Sequence, residues 1–404
     1  MFKALGCDSD KEICYYILDN DNSELDTKLL KLLKNSIIES SSIVTQIDAI
    51  NYMKNHINNT KNIQSDDIIK YNYIKNTVLK DILPHVGDKY NNKCYFLGLM
   101  VNKLLKTHLG IYKTCDRDSY ENKRIEPCGV LIGNLLYQCL VRLSKEIKNN
   151  IFKECNSGSW IINKDTNNII NDVSIYKIVR SSYIETVLKG AMATGNWGLK
   201  NYVNKQGVSQ VLNRLTYMST LSHLRRVSTP MDGTSKLIPP RKLHNTSWGY
   251  VCPSETPEGQ SVGIVKNLAL TCEITNQGNS DNIIHLLREK LIKLKTIDLY
   301  SFNKNAYTKI FINGNLHGFC DYPNRIMELL KQSRSNGNIS IYTSLYWNIS
   351  ECSIFIFTDA GRYIRPLLKI NDDVLIISKY KDRLQNLVWD DLISNSLKIP
   401  EQCI

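Results

Sequence analysis

The residues best suited to chemistry crowd into one stretch, Lys189 to Lys266. Near its end the loop PSETPEGQ holds two carboxylates, Glu255 and Glu258, with Pro253 and Pro257 stiffening the backbone and Gly259 relaxing it immediately afterwards. The stretch carries ten Lys and Arg against three acids, a net +7 out of +12 for the whole chain. Carboxylates in so cationic a setting would repel phosphate. The two are therefore expected to pair with arginines or to help organise a metal–triphosphate site without ligating the metal; the alternative is a purely structural turn.

Upstream of that loop, GVSQVLNRLTYMSTLSHLRR places Ser209, Gln210, Asn213 and Arg214 within about one helical turn and adds His223, Arg225 and Arg226 as a donor cluster. His223 by itself reads as a satisfied structural residue. The following STPMDGTSKLIPPRKLHN contains a turn-forming loop, Pro230 to Leu237, and three more cations, Lys236, Arg241 and Lys242. Trp197, Tyr202, Tyr217, Trp248 and Tyr250 alternate with these charges. Positive charge and flat rings interleaved through Gly/Pro-rich loops suit a surface that follows a phosphate backbone and meets bases or sugars. The plainer reading is a solvated basic face.

The elements that must position these residues differ along the chain. Residues 1 to about 125 carry helical spacing: ELDTKLLKLLKNSII is amphipathic, NKCYFLGLMVNKLLKTHL reads as a buried helix, and Pro84 should break the helix ending VLKDIL. VLIGNLLYQCLVRLSKEIKNNIF is a long helix with a stripe of Leu131, Leu135, Leu136, Leu140, Leu143 and Ile147 expected to face a core. SGSWIINKDTNNIINDV is Asn-rich and reads as a surface connection. In ATGNWG, glycines around Asn-Trp allow close backbone approach. Beyond about Asn267 the texture turns to strands, with hairpins expected at Asn313-Gly314 in KIFINGNLHGF and at Asp359-Ala360-Gly361 in SIFIFTDAGRYIRPLL, separated by the amphipathic helix PNRIMELLKQSRSNG. The fold class is thus α+β and multidomain, with a helical N-terminal half, a loop-rich mixed middle and a β-rich C-terminal part.

At 404 residues the chain has room for about two to four domains. No run approaches 18 uninterrupted apolar residues, and MFKALGCDSDKEICYYI lacks a secretion-signal pattern, so an intracellular, non-membrane protein is expected. The twelve cysteines are scattered with no CxxC pair, which reads as reduced core fillers and not as a zinc site or disulfide framework.

SQVLNRLTYMSTLSHLRR followed by PRKLHNTSWGYVCPSETPEGQSVGIVKNLAL resembles the fork region of the second-largest subunit of multisubunit DNA-directed RNA polymerases, in its eukaryotic, archaeal and large-DNA-virus form. FKALG, FLGLMVNKLL and DRDSYENKR resemble the later part of that subunit's lobe, and FINGNLHG and FTDAGRYIRPL its external-1 domain. The resemblance implies four segments: lobe-like 1–124, protrusion-like 125–196, fork-like 197–275 and external-1-like 276–404. It puts Glu255 nearest the nucleotide-addition centre and makes Gln210, Arg214, Arg225, Arg226, Lys236, Arg241 and Lys242 the candidate nucleic-acid contacts. Arg117, Lys123 and Arg124 in DRDSYENKR would also lie near nucleic acid, although that segment reads equally as a salt-bridged turn. The second fork loop sits in the family where downstream DNA strands separate; where relatives often carry Arg, this chain has Gly233.

The implied reaction is templated nucleotidyl transfer, an RNA 3′-hydroxyl attacking a nucleoside triphosphate with two Mg2+ ions assisting. No Asp-x-Asp-x-Asp cluster occurs here. Mg2+ is expected to be bound mainly by the largest subunit of the assembled enzyme, with no metal held by this chain alone. The hybrid-binding and clamp parts of the second subunit are expected beyond Ile404, so the chain alone should not make RNA. The partners implied are the largest and other polymerase subunits, the remaining portion of the second-largest subunit, the DNA template and the RNA–DNA hybrid, in the nucleus or in a virus factory or virion. The alternative is a truncated, non-catalytic nucleic-acid-binding fragment.

Overall fold

Serine caps and first-turn acids start the N-terminal helices where the apolar periodicity begins. In the computed structural model, which describes residues 1–19, 23–56, 67–156, 172–198, 205–231, 233–294 and 302–367 together with 370, 371, 373–375 and 378, Ser9 Oγ accepts from the Glu12 amide at 3.1 Å and Ser23 Oγ from the Asp26 amide at 3.3 Å. These open α1 (Asp10–Ile17) and α2 (Glu24–Glu39), which are followed by α3 (Gln46–His56), α4 (Asp67–Asn76) and α5 (Tyr90–His108). Next come α6 (Cys128–Asn156), α7 (Asp172–Ile178), α8 (Tyr183–Thr194) and α9 (Tyr217–Leu224), then strands β1 (Arg226–Ser228), β2 (Val265–Asn267) and β3 (Glu273–Ile274). Helix α10 (Asp281–Leu287) leads to β4 (Ile292–Lys293), β5 (Thr308–Ile312) and β6 (Asn315–Cys320). After α11 (Pro323–Ser335) the chain adds β7 (Ser344–Asn348), β8 (Ser353–Phe357), β9 (Tyr363–Ile364), β10 (Ile370–Asn371) and β11 (Val374–Leu375). The mixed α+β class and its division into more than one domain are as the sequence implies.

The chain forms two compact units, and it crosses between them more than once. Residues 1–116, 277–359 and 368–404 make the first; residues 117–276 and 360–367 make the second. The Asn-rich segment lies outside the described residues except at its end, where α7 begins at Asp172.

In the first unit, Leu5, Tyr16, Ile50, Val78, Cys94 and Tyr95 pack with Leu316 and Phe319. A second cluster joins Ile283 and Leu287 of α10, Leu330 of α11, Ile310 and Ile312 of β5 and Ile354 and Ile356 of β8. The sheet order is β4-β6-β5-β8-β7, with β5 and β8 parallel and the other pairings antiparallel. The β5–β6 hairpin turns on Asn313 (φ 49°) and Gly314 (φ 81°), the left-handed pair that a two-residue turn of this type demands. Helix α11 runs to Ser335 and is followed by Gly337 at φ 76°.

Three sequence expectations need correction. Asp359-Ala360-Gly361 closes no hairpin: β8 has β5 on one side and β7 on the other, leaving no edge for the next strand, and β9 pairs with β3 instead. Helix α5 is buried on one face only, since Cys94 is fully covered while Met100 and Leu104 are 51% and 68% exposed. On α6 the buried line passes through Leu135 and Cys139, and Leu136 and Leu140 of the expected stripe are exposed. The line faces Ala191 and Trp197, with Leu131, Val187 and Val208 beside them. Helix α8, a loop edge and α7, whose Ile178 O accepts from Asn150 Nδ2 at 3.1 Å, cover a narrow strip and not the whole apolar arc. Pro84 behaves as expected: α4 loosens into a wide turn at Thr77–Asp81, and Pro84 opens a short 3-10 turn after Leu83 at φ 50°.

The first unit also buries lysines at helix ends. Lys304 Nζ donates to the carbonyls of Tyr15, Tyr16 and Leu18 at 2.7, 2.8 and 2.6 Å. Lys93 Nζ donates to Leu79 O and Ile82 O at 2.5 and 2.6 Å, and Lys3 Nζ to Ser40 O, the C-cap of α2, at 3.5 Å and to Ile43 O in the loop beyond it at 2.5 Å. The last carbonyls of a helix lack intrahelical donors and carry the negative end of its dipole, so an ammonium is the fitting cap. Around Lys304, Asp19 pairs with Lys106 at 2.5 Å, and Asn102 Nδ2 donates to Ile17 O at 2.8 Å. Burial pulls Lys106 down, but the hydrogen bond and charge of Asp19 outweigh it and leave that lysine raised. Burial drives Lys304 down to about 7 against the pull of Asp19.

Candidate nucleic-acid interface

Every candidate contact residue falls in the second unit. The segment from Gly207 to Thr216 is not helical as its polar spacing suggested; helix α9 starts only at Tyr217. The reason is local: Thr216 and Ser219 form a reciprocal capping box that sets the start, and side chains take the place of helical bonds before it. His223 Nδ1 accepts from the Asn213 amide at 3.1 Å, and its Nε2 lies 3.0 Å from Gln210 Oε1. With Nδ1 accepting, the proton belongs on Nε2, so a neutral imidazole bridges two turns of this segment. Trp197 is anchored at the fork's start by Nε1 donating to Ser209 Oγ at 2.8 Å and by a bridge to Lys205. Residues 199–204 of the adjoining loop lie outside the described residues.

Strands β1 and β2 pair antiparallel, Arg226 opposite Asn267 and Ser228 opposite Val265, and between them in sequence runs the loop bearing Glu255. Its backbone is held from both sides: Asn267 Nδ2 donates to Glu255 O at 3.1 Å, and Thr256 Oγ1 donates to Val265 O at 3.2 Å while accepting from the Gly263 amide at 2.9 Å. The Ser222 hydroxyl of α9 donates to Glu255 Oε1. Glu255 is exposed. No arginine pairs with it among the described residues; a serine takes the place expected of one. Nearby, hydrogen bonds from the Ser254 hydroxyl and from the Ser254 and Glu255 amides lower the Cys252 thiol.

The cations divide into two sets. Arg225 Nη2 donates to the carbonyls of Ala269, Leu270 and Cys272 at 2.6, 3.3 and 2.9 Å. Arg241 Nη1 donates to Gln260 O and Val262 O at 2.6 and 2.9 Å, and its Nη2 to Gly233 O and Ser235 O at 2.8 and 2.9 Å. Arg241 thus pins the Pro230–Leu237 loop to the segment following Glu258, and Gly263 fits beneath it because a Cβ there would stand 2.2 Å from Arg241 O. Both guanidinium groups donate to backbone carbonyls. Arg214, Arg226, Lys236, Lys242 and Gln210 are exposed. Asp232, between Met231 and Gly233, lies outside the described residues.

In DRDSYENKR, Lys123 lies 3.7 Å from Asp118 and Arg124 Nη1 donates to Glu121 O at 2.7 Å, so part of this segment is a salt-bridged turn. Lys123 and Lys266 both sit over the Tyr120 ring, at 5.2 and 5.9 Å. Sequence reasoning missed Ser222 and Asn267, the residues that hold Glu255. They are 33 and 12 positions away from it, and no local pattern marks them. Among the described residues no three His, Cys, Asp or Glu side chains converge as a metal-binding group. No described helix is long and apolar enough to cross a membrane.

Three family models match the chain: RNA polymerase Rpb2 domain 2 over residues 1–126, domain 3 over 210–274 and domain 4 over 310–371. The DNA-directed RNA polymerase II subunit RPB2 of Encephalitozoon cuniculi is 35% identical over 407 residues, covering 98% of this chain and 34% of that protein. The RNA polymerase II subunit 2 of Arabidopsis thaliana is 34% identical, covering 94% and 31%, and the DNA-directed RNA polymerase subunit 2 of Acanthamoeba polyphaga mimivirus is 34% identical, covering 99% and 34%. The chain belongs to the family of the second-largest subunit of DNA-directed RNA polymerase, as a partial member. It spans about a third of the length of the curated relatives it matches.

Proposed function

We propose that this chain works inside an assembled DNA-directed RNA polymerase, where its fork loops stand against the RNA–DNA hybrid and the downstream DNA near the active centre. The observation that carries this reading is the exposed Glu255 loop, built by Ser222, Asn267 and Thr256 within the segment that matches Rpb2 domain 3 and flanked in sequence by exposed cations. Arg214, Arg226, Lys236 and Lys242, with Gln210, are the groups that meet nucleic acid. Arg225 and Arg241 act one step removed by fixing the backbone that presents them.

In this reading Mg2+ belongs to the assembled enzyme and is held mainly by the largest subunit. Glu255 orients the substrate side of that centre without ligating the ion. The partners are the largest subunit, the remaining part of the second-largest subunit, the other polymerase subunits, the template and the hybrid, in the nucleus or in a virus factory or virion.

Glu255→Gln keeps the backbone bond from Asn267 and a hydrogen-bond acceptor for Ser222 but removes the charge. Polymerase containing this variant should assemble normally and add nucleotides more slowly; an unchanged elongation rate and fidelity would reduce Glu255 to a turn residue. The direct test of the assembly itself is mass spectrometry of active polymerase purified from the source. Peptides of this chain are expected in stoichiometric amount, and their absence leaves a non-catalytic nucleic-acid-binding fragment as the reading.

A further inference from the structure

Cys7 and Cys94 are 87 positions apart in sequence, yet their sulfurs lie 3.5 Å from each other in the core of the first unit. Both are buried, at 3% and 1% exposure. Cys7 follows the short N-terminal turn, and Cys94 sits in the first turn-and-a-half of α5, so the contact ties the start of the chain to a central helix. As thiols they share one weak S–H···S contact. At 3.5 Å the two sulfurs are about 1.5 Å beyond the disulfide bond length of about 2.05 Å.

We propose that Cys7 and Cys94 form a modification site, a disulfide made by exchange with a low-molecular-weight disulfide of the glutathione class. One cysteine thiolate attacks the small disulfide, expelling one small thiolate and leaving a mixed disulfide. The second cysteine thiolate then attacks the protein sulfur of that mixed disulfide, forming the Cys7–Cys94 bond and expelling the other small thiolate. The protein sulfurs lose two electrons, the small disulfide gains them, and the two thiol protons pass to solvent and on to the released thiolates.

The surroundings set when this happens. The hydrogen bond with Cys94 and burial both push the Cys7 thiol upward, so the attacking thiolate is scarce in the folded protein. Exchange is therefore slow in the folded protein and fast while α5 is still docking, and the bond once made is sheltered from reductant by the same burial. Among the described residues the exposed Cys115 and Cys128, and the partly exposed Cys252 with its lowered thiol, are the fast-reacting thiols by contrast.

The test refolds the full chain from urea in a glutathione redox buffer, alkylates the remaining thiols and maps the cysteine peptides by mass spectrometry. A linked peptide joining Cys7 to Cys94 is expected as the dominant crosslink, absent from Cys94→Ser. The linked chain should unfold with an equilibrium constant lower by on the order of a thousandfold, as closing a loop this long implies. Folded reduced chain, incubated in the same buffer without urea, supplies the second measurement: it should alkylate at Cys115 and Cys128 within minutes and form the Cys7–Cys94 link only over much longer times. Cys7 and Cys94 both recovered as alkylated thiols after equilibration by both routes, or Cys7 linked to several different cysteines, would overturn the proposal.

Discussion

Replacing Lys304 with Met should destabilise the chain by about 3–5 kcal/mol, because three buried carbonyls each lose a donor at roughly 1–3 kcal/mol apiece and rehydrate only in part. The side chain is 3% exposed, and Met fills its volume without a donor. Three carbonyls at the end of α1 would then be left without their partner, in a site that water reaches poorly. Asp19 would retain Lys106 and Asn102, so the loss falls on the helix end and not on the carboxylate. Urea unfolding of the wild type and the variant gives the difference directly; a change below about 1 kcal/mol, the scale of an exposed contact, would show that water replaces the ammonium there.

The same residue predicts a pH dependence. Burial lowers Lys304 from 10.5 to about 7 in the folded chain, so between these values the unfolded chain binds more protons than the folded one. Stability contributed by this group therefore rises with pH across that window. Lys304→Met lacks the titration, and its deficit relative to wild type should widen between pH 7 and pH 9. A deficit constant with pH would mean that the folded lysine titrates at its ordinary value.

The second large effect is expected at Arg241. Arg241→Ala removes four donated hydrogen bonds from carbonyls on two segments, Gly233–Ser235 and Gln260–Val262. Amide exchange in both segments should accelerate together by roughly ten- to a hundredfold, the equivalent of about 1.4–3 kcal/mol. Within the proposed polymerase role, nucleic-acid affinity should fall while its salt dependence stays as it was, because no phosphate contact is lost. Arg226→Ala and Lys242→Ala should behave oppositely, each reducing the salt slope by about one unit with little change in exchange. If Arg241→Ala lowers the slope and leaves exchange untouched, the guanidinium meets phosphate and the carbonyl contacts are incidental.

What could be read without coordinates follows the range over which each interaction acts. Helices α2, α5, α6 and α11 and the Asn313-Gly314 hairpin depend on periodicity and on neighbours a few positions apart, and those were legible. The direction of a cation was not. Arg225 reaches carbonyls 44 to 47 positions away, and Lys304 reaches others 286 to 289 away. Composition counts these with Arg226 and Lys242 as positive charge, although burial and carbonyl partners give them a different task. The second hairpin failed for a related reason: Asp359-Ala360-Gly361 has turn-forming residues, but the vacancy beside β8 had already been taken by β5 and β7. The resemblance in residues 209–226 and 240–270 pointed to the candidate site, while only the fold could reveal that Ser222 and Asn267 hold Glu255 in place.

The lysine that closes α1 is made long after the helix it closes. A ribosome adding roughly 5–20 residues per second needs about 15–60 seconds to travel from Leu18 to Lys304. Throughout that interval the nascent N-terminal helices must remain in a provisional arrangement, their last carbonyls hydrated, until the distant segment emerges to complete them.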